Sequence, residues 1–186
     1  LSIAATFRTK GFITIAFILA YYLLNFAKKK RISFKDISPL LKDSEAFKSS
    51  VDDMAKLVKK FNPTVIVGPE ARGFVFGTAI AYSLGTGFVM ARKEGKLPGE
   101  PLKITYGLEY GSDTITIPEN LLKPTDRVVI VDDLLATGGT ICALAKLCKS
   151  TGAKVVGAVT FIELEGLDGK KVLAEEEVPF EASLLL

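Results

Sequence analysis

Hydrophobic positions along this chain change their period from segment to segment, and those changes mark its elements. Val128-Val129-Ile130-Val131 is an unbroken β-branched run, which predicts a central strand covered on both faces of a sheet. From Ser44 to Phe61 the apolar residues Phe47, Val51, Met54, Ala55, Leu57 and Val58 recur at helical spacing. A serine or aspartate stands at the start of that helix, and Asn62-Pro63 ends it. Val65 to Val67, Phe88 to Met90 and Val155 to Phe161 predict further strands, and Gly73 to Leu84 and Ile141 to Lys149 further helices. Strands alternating with helices imply an α/β fold, a parallel sheet with helices on both faces. Between the strands at Phe88 and Val128 lies a long stretch of the kind that forms functional flaps or hairpins, and the alternation Thr114-Ile115-Thr116-Ile117 predicts a hairpin arm.

Composition narrows the chemistry. The 186 residues, 48% hydrophobic, suffice for one substantial core with a small accessory lobe. A net charge of +3 with dispersed lysines favours small anionic ligands over a nucleic-acid surface. Cys142 and Cys148 lie six residues apart on one helix, about 240° around its axis, so they cannot bridge each other and read as small apolar residues. The chain has no histidine, which excludes His-based triads and His-ligated metals and leaves acid–base work to Asp, Glu, Lys or Tyr.

Residues 11–27 carry no charge and are flanked by Lys10 and by Lys28-Lys29-Lys30-Arg31. As a helix this segment would rise about 26 Å, at the lower edge of spanning length. It reads as a membrane anchor, as a helix packed on the domain or at an interface, or as the product of a misread start. The expectation taken is a cytoplasmic enzyme, with membrane contact through residues 11–27 left open but not favoured, and with residues 1–31 set apart from a domain over 32–186.

The chemistry concentrates after the central strand. Asp132 and Asp133 end it, where two acceptor-only carboxylates can take hydrogen bonds from vicinal sugar hydroxyls. Asp133 is expected at a solvent-facing strand end. Ala136-Thr137-Gly138-Gly139-Thr140 follows, with glycines that let backbone N–H groups turn onto phosphate oxygens and with hydroxyls at Thr137 and Thr140. The helix after it points its positive end at the same anion. An acidic pair alone would serve equally as a helix cap or a metal ligand; the glycine loop beside it decides for a sugar phosphate. No Walker or dinucleotide-binding glycine motif occurs. Arg72, in the corresponding loop after the Val65 strand, is expected to converge on Asp132 and Asp133. Lys93 and Lys96 sit in a cationic loop rich in glycine and proline that follows the next strand, and Glu109 is the best-placed carboxylate for proton traffic on the flap.

The whole run Val128 to Thr140 resembles the phosphoribosyl-diphosphate motif of the type I phosphoribosyltransferases. With Phe34-Lys35-Asp36-Ile37, Arg92-Lys93-Glu94-Gly95-Lys96-Leu97-Pro98-Gly99 and Leu108-Glu109-Tyr110-Gly111 in order, residues 32 to the end resemble the adenine phosphoribosyltransferases. The resemblance implies a five-stranded parallel core with a small hood and a flexible flap, a homodimer, and the reaction of adenine with 5-phosphoribosyl 1-diphosphate to give AMP and diphosphate with Mg2+. It implies ribose hydroxyls at Asp132 and Asp133, the 5′-phosphate at Ala136 to Thr140, and diphosphate at Arg72, Lys93 and Lys96. The base would lie between Phe34 and Leu134, near Ser33 and Lys35, with Glu109 and Tyr110 closing over the reacting centre. Glu109 would either take a proton or stabilise charge. Glu70-Ala71 stands where the family usually has Asp-Ser, and the resemblance implies a cis peptide there. A phosphoribosyltransferase for another purine base and a non-catalytic phosphoribosyl-ligand-binding regulator are the alternative readings.

Overall fold

The computed structural model describes residues 36–108 and 111–186, and the chain divides into two units, Leu1–Ser50 and Val51–Leu186. In the first, helix α1 (Ser38–Lys42) starts with Pro39 in its opening turn, where a missing N–H costs nothing. Asp43 then caps helix α2 (Ser44–Lys60), whose residues from Val51 on belong to the second unit: its Oδ1 accepts the N–H groups of Glu45 at 3.1 Å and Ala46 at 3.0 Å. Of the serine and aspartate expected at this start, the aspartate is the cap.

The second unit is built on a seven-stranded sheet of order β3-β4-β2-β1-β5-β6-β7. Its strands are β1 (Val65–Pro69), β2 (Gly87–Lys93), β3 (Leu102–Leu108), β4 (Gly111–Ile117), β5 (Arg127–Leu135), β6 (Lys154–Glu163) and β7 (Phe180–Leu185). Strands β2, β1, β5, β6 and β7 run parallel, the five-stranded core that the resemblance implies. Strands β3 and β4 form the expected antiparallel hairpin and extend the sheet beyond the end of β2 through Arg92 to Thr116 and Lys93 to Ile115. Helices α3 (Arg72–Leu84), α4 (Gly139–Ser150) and α5 (Gly169–Glu175) complete the unit.

Val128 to Val131 have no exposed surface, which is why no polar alternation marks β5. Cys142 and Cys148 are free and buried as expected, and burial pushes the Cys148 thiol up to about 12. Among the described residues no helix is long and apolar enough to cross a membrane, and the apolar segment 11–27 lies outside them.

The strand order fixes where a ligand can sit. From β1 the chain moves outward to β2 on one side, whereas from β5 it moves outward to β6 and β7 on the other. Strands β1 and β5 are nevertheless hydrogen-bonded neighbours, with Val65 opposite Val128 and Val67 opposite Ile130. The loops leaving these two strands therefore diverge and open a crevice at the carboxyl edge of the sheet, the topological switch point of an open α/β fold.

Candidate active site

The residues that leave β1 and β5 meet in that crevice. Arg72 opens α3 just after β1, and its Nη1 lies 2.8 Å from Oδ2 of Asp133 on β5. Arg72, Asp132, Asp133, Leu134 and the loop Ala136 to Thr140 line one cavity of about 180 Å³. The expected convergence of Arg72 on the acidic pair is thus met. The expectation for Asp133 is not: its side chain is only 2% exposed, because beyond Val131 the strand alternates and Asp133 shares the buried face with Leu135 while Asp132 and Leu134 take the partly exposed one. It is a buried carboxylate held by an arginine, whereas Asp132 is partly exposed.

Although part of Asp132 reaches solvent, the protein packed around its carboxyl, followed by the neighbouring Asp133 charge, holds it well above the ordinary carboxylate range. Burial also raises Asp133, against the opposing pull of Arg72. Asp132 Oδ1 additionally accepts the Asp133 N–H at 2.8 Å. Oδ2 of Asp133 has no well-aligned hydrogen bond despite its close guanidinium, so this oxygen is incompletely satisfied.

These shifts have a sign that can be tested. Folded carboxyls raised above their unfolded values bind protons the unfolded chain has released, so their contribution to stability is present below about pH 4 and is lost as pH rises through the folded-state values. Asp132→Asn keeps the Oδ1 acceptor and removes the like charge. Thermal unfolding of the ligand-free variant is expected to show a gain of about 1 kcal/mol at neutral pH and a flatter pH dependence. A lower melting temperature at neutral pH would refute the assignment of strain to this pair.

The phosphate-type loop has a defined geometry. Gly138 caps α4 at φ +84°, a left-handed conformation that β-branched residues avoid, and its carbonyl accepts the N–H of Cys142 at 2.9 Å. Gly139 has no such backbone demand, since a Cβ built there would meet Gly107 O only at 3.6 Å. Of the two glycines expected to be needed, Gly138 is the one its backbone requires. Behind the loop stands Gly169, whose added Cβ would fall 2.1 Å from the carbonyl oxygen of Ala136.

The cationic segment is already engaged by carboxylates. Arg92 donates from Nε and Nη2 to the two oxygens of Glu70, each at 3.2 Å, and from Nη1 to the Lys96 carbonyl at 2.9 Å. The Lys93 N–H also reaches Glu70, which Arg92 holds below the usual carboxylate range. Glu70-Ala71 is cis, as the resemblance implies. Lys93 Nζ pairs with Asp113 Oδ2 at 3.1 Å, and that carboxylate holds the ammonium above its ordinary value. Lys96 is exposed.

Arg92, Tyr106, Asp113 and Gly169 were not singled out by sequence reasoning. Only Arg92 left a signal, as one more cation in its loop. Ser33, Phe34, Lys35, Glu109 and Tyr110 lie outside the described residues.

Known proteins carry the same pattern. Residues 40–178 match the phosphoribosyl transferase domain family. The adenine phosphoribosyltransferase of Clostridium perfringens is 53% identical over 150 residues, covering 81% of this chain and 87% of that protein. The crystal structure of adenine phosphoribosyltransferase from Thermoanaerobacter pseudethanolicus superposes with a TM-score of 0.80 at 48% identity, covering 86% of this chain and 91% of that one. The Saccharomyces cerevisiae enzyme, complexed with an imino-altritol 1,6-bisphosphate and adenine, gives a TM-score of 0.76 at 37% identity, covering 83% and 89%.

Proposed function

Because the chain belongs to the adenine phosphoribosyltransferase family, a pentosyltransferase family of purine salvage, we propose that its crevice joins adenine to the ribose of 5-phosphoribosyl 1-diphosphate. The observation that carries this reading is the meeting of Arg72, the acidic pair and the glycine loop in one cavity at the switch point. A nitrogen of adenine forms the bond to the anomeric carbon, the bond from that carbon to the diphosphate oxygen breaks, and the base gives up one proton. The products are AMP and diphosphate.

Asp132 and Asp133 accept hydrogen bonds from the ribose hydroxyls, and the amides and hydroxyls from Ala136 to Thr140 hold the 5′-phosphate. Arg72, paired with Asp133, faces the leaving diphosphate, joined there by Lys93 and Lys96. The resemblance assigns base binding to Ser33, Phe34, Lys35 and Leu134. Glu109 and Tyr110 act at the reacting centre.

Mg2+ would be held mainly by the donor's diphosphate oxygens. Among the described residues no group of three or more acidic, thiol or imidazole side chains could hold a metal. A hard cation carried by substrate oxygens, with a carboxylate of the acidic pair in reach, fits such a donor set. When bound, it neutralises charge on the diphosphate. The resemblance implies a homodimer, and the need for a cytosolic donor favours the cytoplasm.

The direct test is AMP formation from adenine and the donor with Mg2+. Turnover with adenine is expected; donor binding without turnover of any purine would overturn the reading and favour a regulator. Glu109→Gln is expected to lower kcat by about a hundredfold with donor affinity kept, at the modest end of general acid–base effects. Equal loss of both would make Glu109 structural.

A further inference from the structure

The hairpin touches both anion-binding segments through a single cross-strand pair. Tyr106 on β3 stands directly opposite Asp113 on β4. The Tyr106 hydroxyl lies 3.2 Å from Oγ1 of Thr140 in the glycine loop, and Asp113 Oδ2 lies 3.1 Å from Nζ of Lys93 at the end of β2. The hairpin rests on the first turn of α4 where Gly139 has no side chain: a Cβ there would already lie 3.6 Å from Gly107 O and 3.9 Å from the Tyr106 ring.

We propose that Tyr106 and Asp113 are positioning residues for the two anionic groups of the donor, Tyr106 through the Thr140 hydroxyl at the 5′-phosphate and Asp113 through the Lys93 ammonium at the diphosphate. This rests on the reading of the cavity as a phosphoribosyl-diphosphate site. A bound phosphate dianion offers acceptors only, so Thr140 must donate to it. The Tyr106 O–H then fills the acceptor position left on Thr140 Oγ1, which fixes the hydroxyl rotor and polarises it toward the phosphate. Tyr106 is suited to donate, because burial holds its phenol above the ordinary range and keeps it protonated at neutral pH. It also feels the charges of Asp113, Lys93 and Asp132.

Asp113 acts on a flexible partner. Lys93 is a largely exposed side chain with three donors; one spent on Asp113 restricts its rotamers in advance and leaves two for diphosphate. An exposed pair of this kind adds little to folding stability, so its effect belongs to ligand geometry.

Calorimetric titration of AMP and of Mg-diphosphate into wild type, Tyr106→Phe and Asp113→Asn separates the two halves. Tyr106→Phe keeps the ring on Gly139 and is expected to weaken AMP about fivefold while leaving diphosphate unchanged. Asp113→Asn is expected to weaken diphosphate about threefold and leave AMP unchanged, with Asp113→Glu restoring it. Both ligands moving together in either variant, or neither moving, would make the pair merely structural and overturn the proposal. Tighter diphosphate binding by Asp113→Asn would make Asp113 a competitor and overturn its part. Wild-type protein that binds neither AMP nor diphosphate would instead overturn the reading of the cavity, an outcome distinct from all of these.

Discussion

Arg72→Ala is expected to destabilise the ligand-free protein by about 2–3 kcal/mol and to lower kcat/KM by about a hundredfold or more. The cost follows from burial: Asp133 is 2% exposed and its charge is opposed by a single guanidinium 2.8 Å away, with a second carboxylate adjacent in the chain. Removing one partner leaves an uncompensated buried charge, and that penalty exceeds what the pair itself contributes. The figure sits at the low end because Arg72 is one-third exposed. The stability loss also has a pH signature. Without Arg72 the charge that most opposes burial is gone and only hydrogen bonds from Asp132, the Asp133 N–H and the Leu134 N–H still hold Asp133 down, so the folded-state value climbs further and the gap from wild type should be larger near about pH 8 than near about pH 5. Urea melts at the two pH values check this, and an equal loss at both would show that Arg72 stabilises by packing alone. Arg72→Lys should recover part of the stability and little of the rate, since an ammonium cannot hold Asp133 and a diphosphate in fork geometry at once.

Gly169→Val is expected to weaken AMP binding by the order of a hundredfold, although residue 169 is outside the lining of the cavity. A Cβ at this position would lie 2.1 Å from the carbonyl oxygen of Ala136 and 3.0 Å from its carbonyl carbon, so backbone must move. What moves is the loop itself, because Ala136 begins it and the Gly138 Cα hydrogens look onto the Gly169 carbonyl, 3.0 Å from an ideal Cβ. The measurement is AMP affinity alongside a melting curve. A folded variant with wild-type affinity would show that the loop yields without loss of its phosphate geometry.

Much of this could be read from residue order alone. The run Val128 to Val131, the acidic pair behind it and the glycines of the loop give a strand, its exit and a helix start, because each is local chemistry. The hairpin was legible from alternation at Thr114 to Ile117, where Ile115 and Ile117 face the core. Which carboxylate of the pair is buried was not legible, because a strand covered on both faces carries no polar alternation to mark inside from outside. Asp113 and Lys93 lie 20 residues apart, and only the register of β4 against β2 brings them together. Helix α5 and strand β7 escaped for a related reason. The helix is one short turn-rich segment, and β7 earns its place by pairing with β6 rather than by its own pattern. Gly169 left no trace, since its importance is a distance to a backbone atom 33 residues earlier in the chain.

The inward-facing thiols of α4 have a practical consequence. Both cysteines of the chain are accounted for, and Cys148, with its thiol near 12, holds almost no thiolate at neutral pH, while burial likewise raises Cys142. A cysteine placed at exposed Ser112, next to Asp113 on the hairpin, would then be the preferred target of a maleimide dye without any background substitution. The wild-type chain is in effect a ready-made single-label scaffold, on which the fluorescence of one attached probe reports the hairpin's surroundings as ligand is titrated in.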